Sequence, residues 1–203
     1  MNAADIKEFW NSRFEQPGFM YGDAPNVFFK SIIDSLTPGR LFVPGAGEGR
    51  DAVYAAEKGW DVYCVDLSDA GQTKALQLAA TKNVTIKYIV ADIDTIDFPE
   101  TTFDAIACIF FHLPQDIRTR FYANTAKWLK PNGHFLLESF TPAQLNNSSG
   151  GPKDLNMLTS AAQIKEETST LNHLTLEECE TILDEGKHHS GKANVVHCVA
   201  QKI

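Results

Sequence analysis

The chain lacks the features that place a protein in or across a membrane. No apolar run approaches the ~20 residues that span a bilayer. The first residues, from Met1 to Asp5, have neither the basic start nor the apolar stretch of a secretory signal. The sequence therefore predicts a cytoplasmic protein without a membrane partner.

Cysteine and clustered positive charge are also scarce. Lysine and arginine total 18 against 26 acidic residues, giving a formal net charge of −8. No basic cluster provides a stripe that could follow phosphates, so nucleic acid is not a predicted partner. The cysteines form no C-x-x-C pair, and we predict reduced core residues instead of zinc ligands at Cys64, Cys108, Cys179 and Cys198.

No Pro/Ser-rich linker divides the 203 residues, which predicts one domain spanning residues 1–203. Within it we distinguish an N-terminal helical cover (1–37), a cofactor-binding core (38–140), and a C-terminal part with a lid loop and a hairpin (141–203). The predicted oligomeric state is a monomer or a homodimer. Apolar periodicity predicts helices at 3–14, 25–36, 114–129 and 158–168, and late strands at 134–140 and 193–200. Residues 174–183 alternate only imperfectly, and a strand there is implied by the family resemblance described below.

The stretch from residue 40 to 51 carries the strongest local signal. Leu41, Phe42 and Val43 predict a short buried strand, and three glycines follow before an apolar helical pattern at 52–56. Glycine permits positive φ and lets a ligand lie against bare backbone, while the helix N-terminus offers unpaired N–H groups. The turn therefore either binds a nucleotide-like ligand or serves only chain reversal.

Carboxylates at the ends of the next two predicted strands favour binding. The strand at 61–66 ends in Asp66, about 20 residues after Gly45, where a carboxylate can accept both hydroxyls of a ribose. The strand at 85–90 leads into Asp92, which can accept from an adenine amino group. The spacing is G-x-G-x-G, and Arg50 stands where a nicotinamide or flavin turn needs glycine or alanine, so a dinucleotide is disfavoured.

With Asp66 and Ala91-Asp92, this turn resembles the S-adenosylmethionine site of class I methyltransferases across residues 38–140. Val43-Pro44 before the first glycine is similar to the thiopurine and halide/thiol methyltransferase branch. The resemblance implies an α/β, Rossmann-like fold with a seven-stranded, mostly parallel sheet, an antiparallel C-terminal hairpin and helices on both faces. It also implies S-adenosylmethionine as cofactor, bound by Tyr21, Pro44, Gly45, Ala46, Gly47, Gly49, Arg50, Asp66, Leu67, Ser68, Ala91, Asp92, Ile93 and Ile109.

Two loops resemble lids over such a site. Trp10, Arg13, Phe14 and the stretch 21–26 resemble the N-terminal segment of the tellurite-resistance methyltransferase group, which implies a cover for the methionine end of the cofactor. From the residues alone, the aromatic loop 16–26 either forms such a lid or covers a sheet edge. The polar, glycine-rich loop 141–156 is either a mobile lid or a surface connector.

Three histidines are the candidate catalytic residues. His112 follows a predicted buried strand at 103–111, so it either lies beside the reacting methyl group or caps the next helix. His188 and His189 lie in a predicted hairpin turn at 186–191. No metal is predicted there, because neighbouring side chains diverge and no carboxylate or cysteine spacing completes a ligand set.

We predict that the acceptor pocket combines three stretches: the aromatic loop around Phe19 and Tyr21, the strand end at Phe111 and His112, and the histidine hairpin. The predicted function is transfer of a methyl group from S-adenosylmethionine to a small molecule, with a tilt toward soft chalcogens such as tellurite, selenite or a thiol. An oxygen or nitrogen acceptor needs a histidine base, whereas an anionic chalcogen does not. The alternative is a non-catalytic S-adenosylmethionine-binding sensor or partner subunit, for which lid loops are unnecessary.

Overall fold

The computed structural model describes residues 3–203. The first two residues, on which part of the signal-peptide argument rests, lie outside this range. Contacts divide the chain into two compact units: one runs to Asp97 and includes Glu185–Lys187, and the other comprises Phe98–Asp184 and His188–Ile203. We call these the first and second units. Within residues 3–203 no helix is long and apolar enough to cross a membrane.

The first unit contains the glycine turn. Its elements are α1 (Ala3–Phe14), α2 (Val27–Ile33), β1 (Arg40–Pro44), α3 (Arg50–Glu57), β2 (Asp61–Asp66), α4 (Asp69–Thr81) and β3 (Lys87–Val90). β1 pairs in parallel with β2, and β2 pairs in parallel with β3. Leu41 and Phe42 are fully buried, as the apolar run predicted. The parallel pairing brings the ends of β2 and β3 to one edge of the sheet.

The second unit contains β4 (Phe103–Ile109), α5 (Gln115–Trp128), β5 (Leu129–Phe140), α6 (Ala161–Glu167), β6 (Asn172–Asp184) and β7 (Ser190–Gln201). β5 is parallel to β4, whereas β7 is antiparallel to both β5 and β6. The strand order of the whole sheet is β3-β2-β1-β4-β5-β7-β6. The predicted fold class, a seven-stranded sheet of the Rossmann-like methyltransferase type with an antiparallel C-terminal hairpin, is confirmed.

Several element ends differ from the predicted ones because caps or pairing decide them. α2 starts at Val27 and not at Pro25, since the Asn26 side chain accepts the Phe29 amide and caps the helix. α6 starts at Ala161, after a capping box between Ser160 and Gln163. β5 begins at Leu129 and not at the predicted residue 134, because Leu129 already pairs with Phe103 of β4.

The four cysteines are free thiols, and their burial follows the strand patterns. Cys64, Cys108 and Cys198 are buried, while Cys179 on β6 is half-buried. Burial raises the pKa of the Cys198 thiol to about 12. These thiols therefore carry little thiolate at neutral pH.

Candidate functional site

The three glycines that follow β1 all adopt left-handed backbone angles. Their φ values are 62° at Gly45, 52° at Gly47 and 84° at Gly49. The turn closes through backbone hydrogen bonds, with the Gly45 amide donating to the Val65 carbonyl at 2.7 Å and the Gly49 amide to Ala46 at 2.9 Å. A side chain would strain these positions, so glycine is required by conformation.

The glycines differ in what surrounds them. A Cβ at Gly49 would lie 2.6 Å from the Ala75 Cβ, so Gly49 allows α3 to approach α4 closely. A Cβ at Gly47 would lie 3.2 Å from the Phe14 ring of α1. Gly49 therefore supports helix packing, a purpose that the predicted cradle role does not include.

Asp66 ties the end of β2 to the glycine turn. One carboxylate oxygen accepts the Gly47 amide at 2.9 Å and the other accepts the Ser68 amide at 2.9 Å. Burial raises the pKa of Asp66, and backbone N–H donors from Ser68, Gly47 and Leu67 act in the opposite direction. Each carboxylate oxygen has a second lone pair, so the group fits the predicted ribose contact while holding the turn.

Tyr88 of β3 also locks the turn, a role that no local sequence pattern predicted. Its hydroxyl donates to the Gly47 carbonyl at 2.8 Å, and its own carbonyl accepts from Gln72 at 2.9 Å. Both backbone groups of Gly47 are therefore bonded, the amide to Asp66 and the carbonyl to Tyr88. The conformation of the turn is set before any ligand binds.

The other predicted cofactor residues of the first unit cluster at the same strand ends. The Ala91 amide donates to the Asp66 carbonyl at 3.0 Å, which places Ala91, Asp92 and Ile93 beside the end of β2. Asp92 caps a short turn by accepting the Asp94 amide at 3.0 Å. Ser68 is fully buried and its hydroxyl is committed to the α4 cap, accepting from Gly71.

The loop between α1 and α2, which we call the N-terminal strap (residues 16–25), is fastened by buried charges. The Met20 amide donates to Glu48 at 2.6 Å, and Glu48 is only 5% exposed. Lys74 of α4 donates to both Glu48 and the Gln16 carbonyl, at 2.8 and 2.7 Å. The Tyr21 hydroxyl accepts from Arg13 at 3.0 Å. These hydrogen bonds tie the strap to α1, to the glycine turn and to α4.

Arg50 has a role different from the predicted cofactor contact. Its guanidinium donates to the Tyr21 carbonyl at 2.9 Å and to Glu185 at 2.8 Å. The Asn26 side chain donates to the same Glu185 carboxylate at 2.8 Å, and the Asn26 backbone amide donates to the Asp51 carboxylate at 2.7 Å. The buried carboxylate of Glu185 thus joins Arg50 and Asn26, a partnership across the chain that no local pattern revealed.

In the second unit, the chain leaves β4 with unusual geometry. Ile109, the last residue of β4, is 9% exposed, and Phe110 has a left-handed φ of 49° while its amide donates to the Glu138 carbonyl at 2.8 Å. A bulky residue in this region is strained. Phe111 packs on Phe121, with ring centroids 5.8 Å apart. That Phe111 lines the acceptor pocket stays a prediction.

His112 stacks on Phe140, with centroids 5.4 Å apart and rings 7° from parallel. Its Nδ1 lies 3.3 Å from both the Met157 carbonyl and the Ser139 hydroxyl. Because a carbonyl can only accept, Nδ1 carries the proton and Nε2 carries a lone pair. Nε2 is shielded from solvent and has no hydrogen-bond partner within the described residues. Burial, and then the charge of His189, lower the pKa of His112 to about 3.

His189 is 7% exposed and packs edge-on against two of the same rings. Its centroid lies 4.6 Å from that of Phe110 and 5.3 Å from that of Phe140. We call His112, His189, Phe110 and Phe140 the histidine pocket. The structure therefore brings together two of the three predicted catalytic histidines, while His188 is exposed.

The first half of the loop after β5 is anchored by hydrogen bonds of the Gln144 side chain. The buried Gln144 side chain donates to the Ser149 hydroxyl at 2.9 Å and to the Gly150 carbonyl at 3.0 Å, and it accepts the Asn194 amide of β7 at 2.9 Å. A Cβ at Gly150 would lie 2.8 Å from the His189 ring. Gln144 therefore holds in place the Gly150 backbone that packs against the His189 ring.

Residues 44–133 match the protein family described as "Methyltransferase domain". We call these residues, which run from the end of β1 into β5, the methyltransferase domain after the description of that family. In residues 3–203 no group of three or more histidine, cysteine, aspartate or glutamate side chains is placed to hold a metal ion.

This chain is similar to several named proteins. It is 32% identical over 115 residues to phosphoethanolamine N-methyltransferase of Triticum aestivum, a match that covers 55% of this chain and 22% of that protein. TehB from Haemophilus influenzae superimposes with a TM-score of 0.73 at 16% identity, covering 97% of this chain and 67% of that one. Magnesium protoporphyrin IX methyltransferase (ChlM) from Synechocystis PCC 6803, solved with bound SAM, gives 0.70 at 15% identity, covering 99% and 97%.

The predicted enzyme class and the predicted cofactor, S-adenosylmethionine, are confirmed for the methyltransferase domain. The chain spans about a fifth of the length of the curated relatives it matches, at 22% of the wheat protein. The solved structures are below a fifth identical to this chain and establish the fold alone.

Proposed function

We propose that the chain transfers a methyl group from S-adenosylmethionine to a small-molecule acceptor that binds at the histidine pocket. The observation that carries the proposal is the lone pair on His112 Nε2, which is buried beside the Phe110 and Phe140 rings and has no hydrogen-bond partner within the described residues. Buried polar atoms in proteins are nearly always hydrogen-bonded. Among the three unpaired side-chain atoms of residues 3–203, His112 Nε2 is the one on a predicted catalytic residue, which favours a ligand that bonds it. A simple cofactor-binding sensor has no need of such a group.

The glycine turn and the ends of β2 and β3 would hold the cofactor. Asp66 has free lone pairs for ribose hydroxyls, and the backbone of Gly47 is already fixed on both sides. When bound, S-adenosylmethionine supplies a methyl group on an activated sulfonium. The protein therefore has to align the acceptor and exclude water more than it has to move protons. The predicted contacts of Leu67, Ser68, Ala91, Asp92, Ile93 and Ile109 remain part of this proposal.

His112 would orient the acceptor. A general base works best when its pKa is near the operating pH, and the pKa of His112 is lowered to about 3. It is therefore a poor store for a proton, but its neutral Nε2 is a good acceptor for an N–H or S–H group. Since Nε2 is out of contact with solvent, neighbouring side chains must move to admit the acceptor.

This geometry favours a thiol or an amine over an oxyanion as methyl acceptor. Tellurite or selenite would need a positive partner. Arg118, whose charge acts on His112, is already paired with Glu167 at 2.7 and 2.8 Å. The wheat relative named as an N-methyltransferase supports a nitrogen acceptor. Our proposal therefore replaces the predicted preference for tellurite and selenite with a preference for acceptors that carry an N–H or S–H group. The contribution of Phe19 and Tyr21 stays a prediction.

Two measurements test the proposal. Calorimetry should show binding of S-adenosylhomocysteine and none of NAD, and tighter binding of NAD would overturn the assignment. Turnover of labelled S-adenosylmethionine should then appear with thiols or small amines in a screen that also includes selenite and tellurite. We expect His112→Ala to lower that turnover roughly 10- to 100-fold with unchanged cofactor affinity. Cofactor binding without turnover on any acceptor would instead favour the sensor function.

A further inference from the structure

Arg118 on α5 is a buried cation that was not among the predicted site residues. It is 2% exposed. Its Nε and Nη2 donate to the two carboxylate oxygens of Glu167, at 2.7 and 2.8 Å. This two-point pairing with the last residue of α6 fixes the plane of the guanidinium. The remaining nitrogen, Nη1, is therefore held in a defined direction.

Nη1 points at two backbone carbonyls that come from different segments. It lies 3.4 Å from the Leu113 carbonyl and 3.4 Å from the Asn156 carbonyl. Leu113 directly follows His112 in the chain, and Asn156 directly precedes Met157. One charged group thus spans the two segments on either side of the contact between His112 Nδ1 and the Met157 carbonyl.

That contact decides which nitrogen of His112 is protonated. The Met157 carbonyl lies 3.3 Å from Nδ1, and this distance depends on where residues 156–157 sit relative to residues 112–113. The short helix that contains Met157 spans only Leu155–Met157, and Leu155 and Asn156 are exposed. So short a segment does little to fix its own carbonyls, and Arg118 supplies a bond from the buried side.

We propose that Arg118 is a positioning residue that clamps the Leu113 and Asn156 carbonyls and thereby holds His112 in the tautomer with a bare Nε2. The inference rests on the proposed function for its catalytic meaning, but not for its structural test. It assigns a reason for the burial of an arginine whose partners lie far along the chain. It also explains why His112 can present a lone pair in the absence of a ligand.

The direct test reads the tautomer of His112 by nitrogen NMR on histidine-labelled protein. In the parent protein we expect Nδ1 protonated and Nε2 bare at pH 7. In Arg118→Met, loss of the clamp should change the ratio of the two tautomers roughly 3- to 10-fold, as expected when one hydrogen bond is weakened. Arg120→Met is the matched control, because Arg120 lies on the same helix with an exposed side chain that pairs only loosely with Asp116, at 3.8 Å.

A parallel arm covers the chance that Arg118→Met does not fold. Arg118→Lys keeps the charge and one bond to Glu167, but an ammonium lacks the fork that spans two carbonyls. We expect it to give an intermediate tautomer ratio. An unchanged His112 tautomer in either folded variant, or an equal change in Arg120→Met, would overturn the clamp.

Kinetics separate this inference from the proposed function. If both are correct, Arg118→Lys should lower kcat about 10-fold while the KM for S-adenosylmethionine stays within about twofold, because only acceptor alignment is lost. A shifted tautomer in a protein that shows no methyl transfer keeps the clamp and contradicts the proposed function. A normal tautomer with normal turnover contradicts the clamp alone.

Discussion

The glycine turn of the first unit and the histidine pocket of the second unit differ in whether their polar groups have hydrogen-bond partners. In the turn, the amide and the carbonyl of Gly47 are both bonded, to Asp66 and Tyr88. Around the pocket, His112 Nε2 and the Thr159 hydroxyl are buried without partners among the described residues. Phe110, at the same place, has a left-handed φ of 49°.

The difference indicates which region is complete without a ligand. Because the Gly47 backbone groups are already hydrogen-bonded, the turn is preorganised. Ligand binding there therefore costs little free energy for ordering the turn. A pocket with unpaired polar atoms and a strained residue is less stable as it stands and gains from a partner. The predictions below test this contrast, from the largest expected effect to the smallest.

The packing of the glycine turn should be the least tolerant feature. Gly49→Ala combines a left-handed backbone with a Cβ placed 2.6 Å from that of Ala75, so we expect a loss of roughly 2 to 5 kcal/mol in the free energy of unfolding. Gly18→Ala is the control, because Gly18 has φ 78° with nothing within 4 Å of an added Cβ. It should lose only about 1 to 2 kcal/mol. Urea titration measures both, and equal losses would contradict the packing role.

Asp66→Ala should weaken cofactor binding and the turn together. We expect S-adenosylhomocysteine affinity to fall roughly 10- to 100-fold, since charge-assisted bonds to ribose hydroxyls are lost. Stability should fall as well, because Asp66 also accepts the Gly47 and Ser68 amides. Asp69→Ala, at an exposed position three residues on, is the control. Calorimetry with unchanged affinity in Asp66→Ala would remove the ribose role.

Gln144→Ala tests whether Gln144 holds the loop that packs against His189 of the histidine pocket. The variant removes the acceptor of the Asn194 amide and the donor to the Gly150 carbonyl, so we expect a loss of roughly 1 to 3 kcal/mol. Proteolysis between residues 148 and 153 should also become faster. Gln115→Ala, at an exposed position, should change neither. A protease-resistant Gln144 variant would show that other contacts hold this loop.

The buried His112 should make the protein sensitive to acid. The unfolded state binds a proton on this histidine below about pH 6.5, whereas the folded state does so only near pH 3. Protons therefore favour unfolding across that window, by up to about 1.4 kcal/mol per pH unit. Between pH 7 and 5, the parent should lose about 1 to 2 kcal/mol more than His112→Gln. Urea midpoints at both pH values measure this, and equal losses in the two proteins would contradict it.

The cofactor side of the fold was predictable because its signals are local. The bounds of β2 match the predicted 61–66, and β1 and α3 differ from their predictions only at the ends. Asp66 and Ala91 meet because parallel strands end at one edge, which follows from the order of elements alone. The resemblance to methyltransferases reinforced the same region, and the family match covers residues 44–133.

The acceptor side was less predictable because its partners are distant in sequence. Arg118 and Glu167 are 49 positions apart, and Gln144 and Asn194 are 50 apart. Such pairs depend on how β5, β7 and α6 are arranged, which periodicity does not encode. The position of Phe110 in the histidine pocket has a simpler cause. The positive φ of Phe110 ends β4 at Ile109, before the predicted strand end at residue 111.

The bond between Asn26 and Glu185 has a consequence for the order in which the chain can be assembled during translation. The two residues are 159 positions apart, yet both belong to the first unit. A nascent chain therefore cannot finish this unit when its N-terminal half leaves the ribosome, because the carboxylate that joins Asn26 and Arg50 is made much later. Domains usually fold from the N-terminus as they emerge. Here residues 3–97 must wait, partly formed, until Glu185–Lys187 have been synthesised.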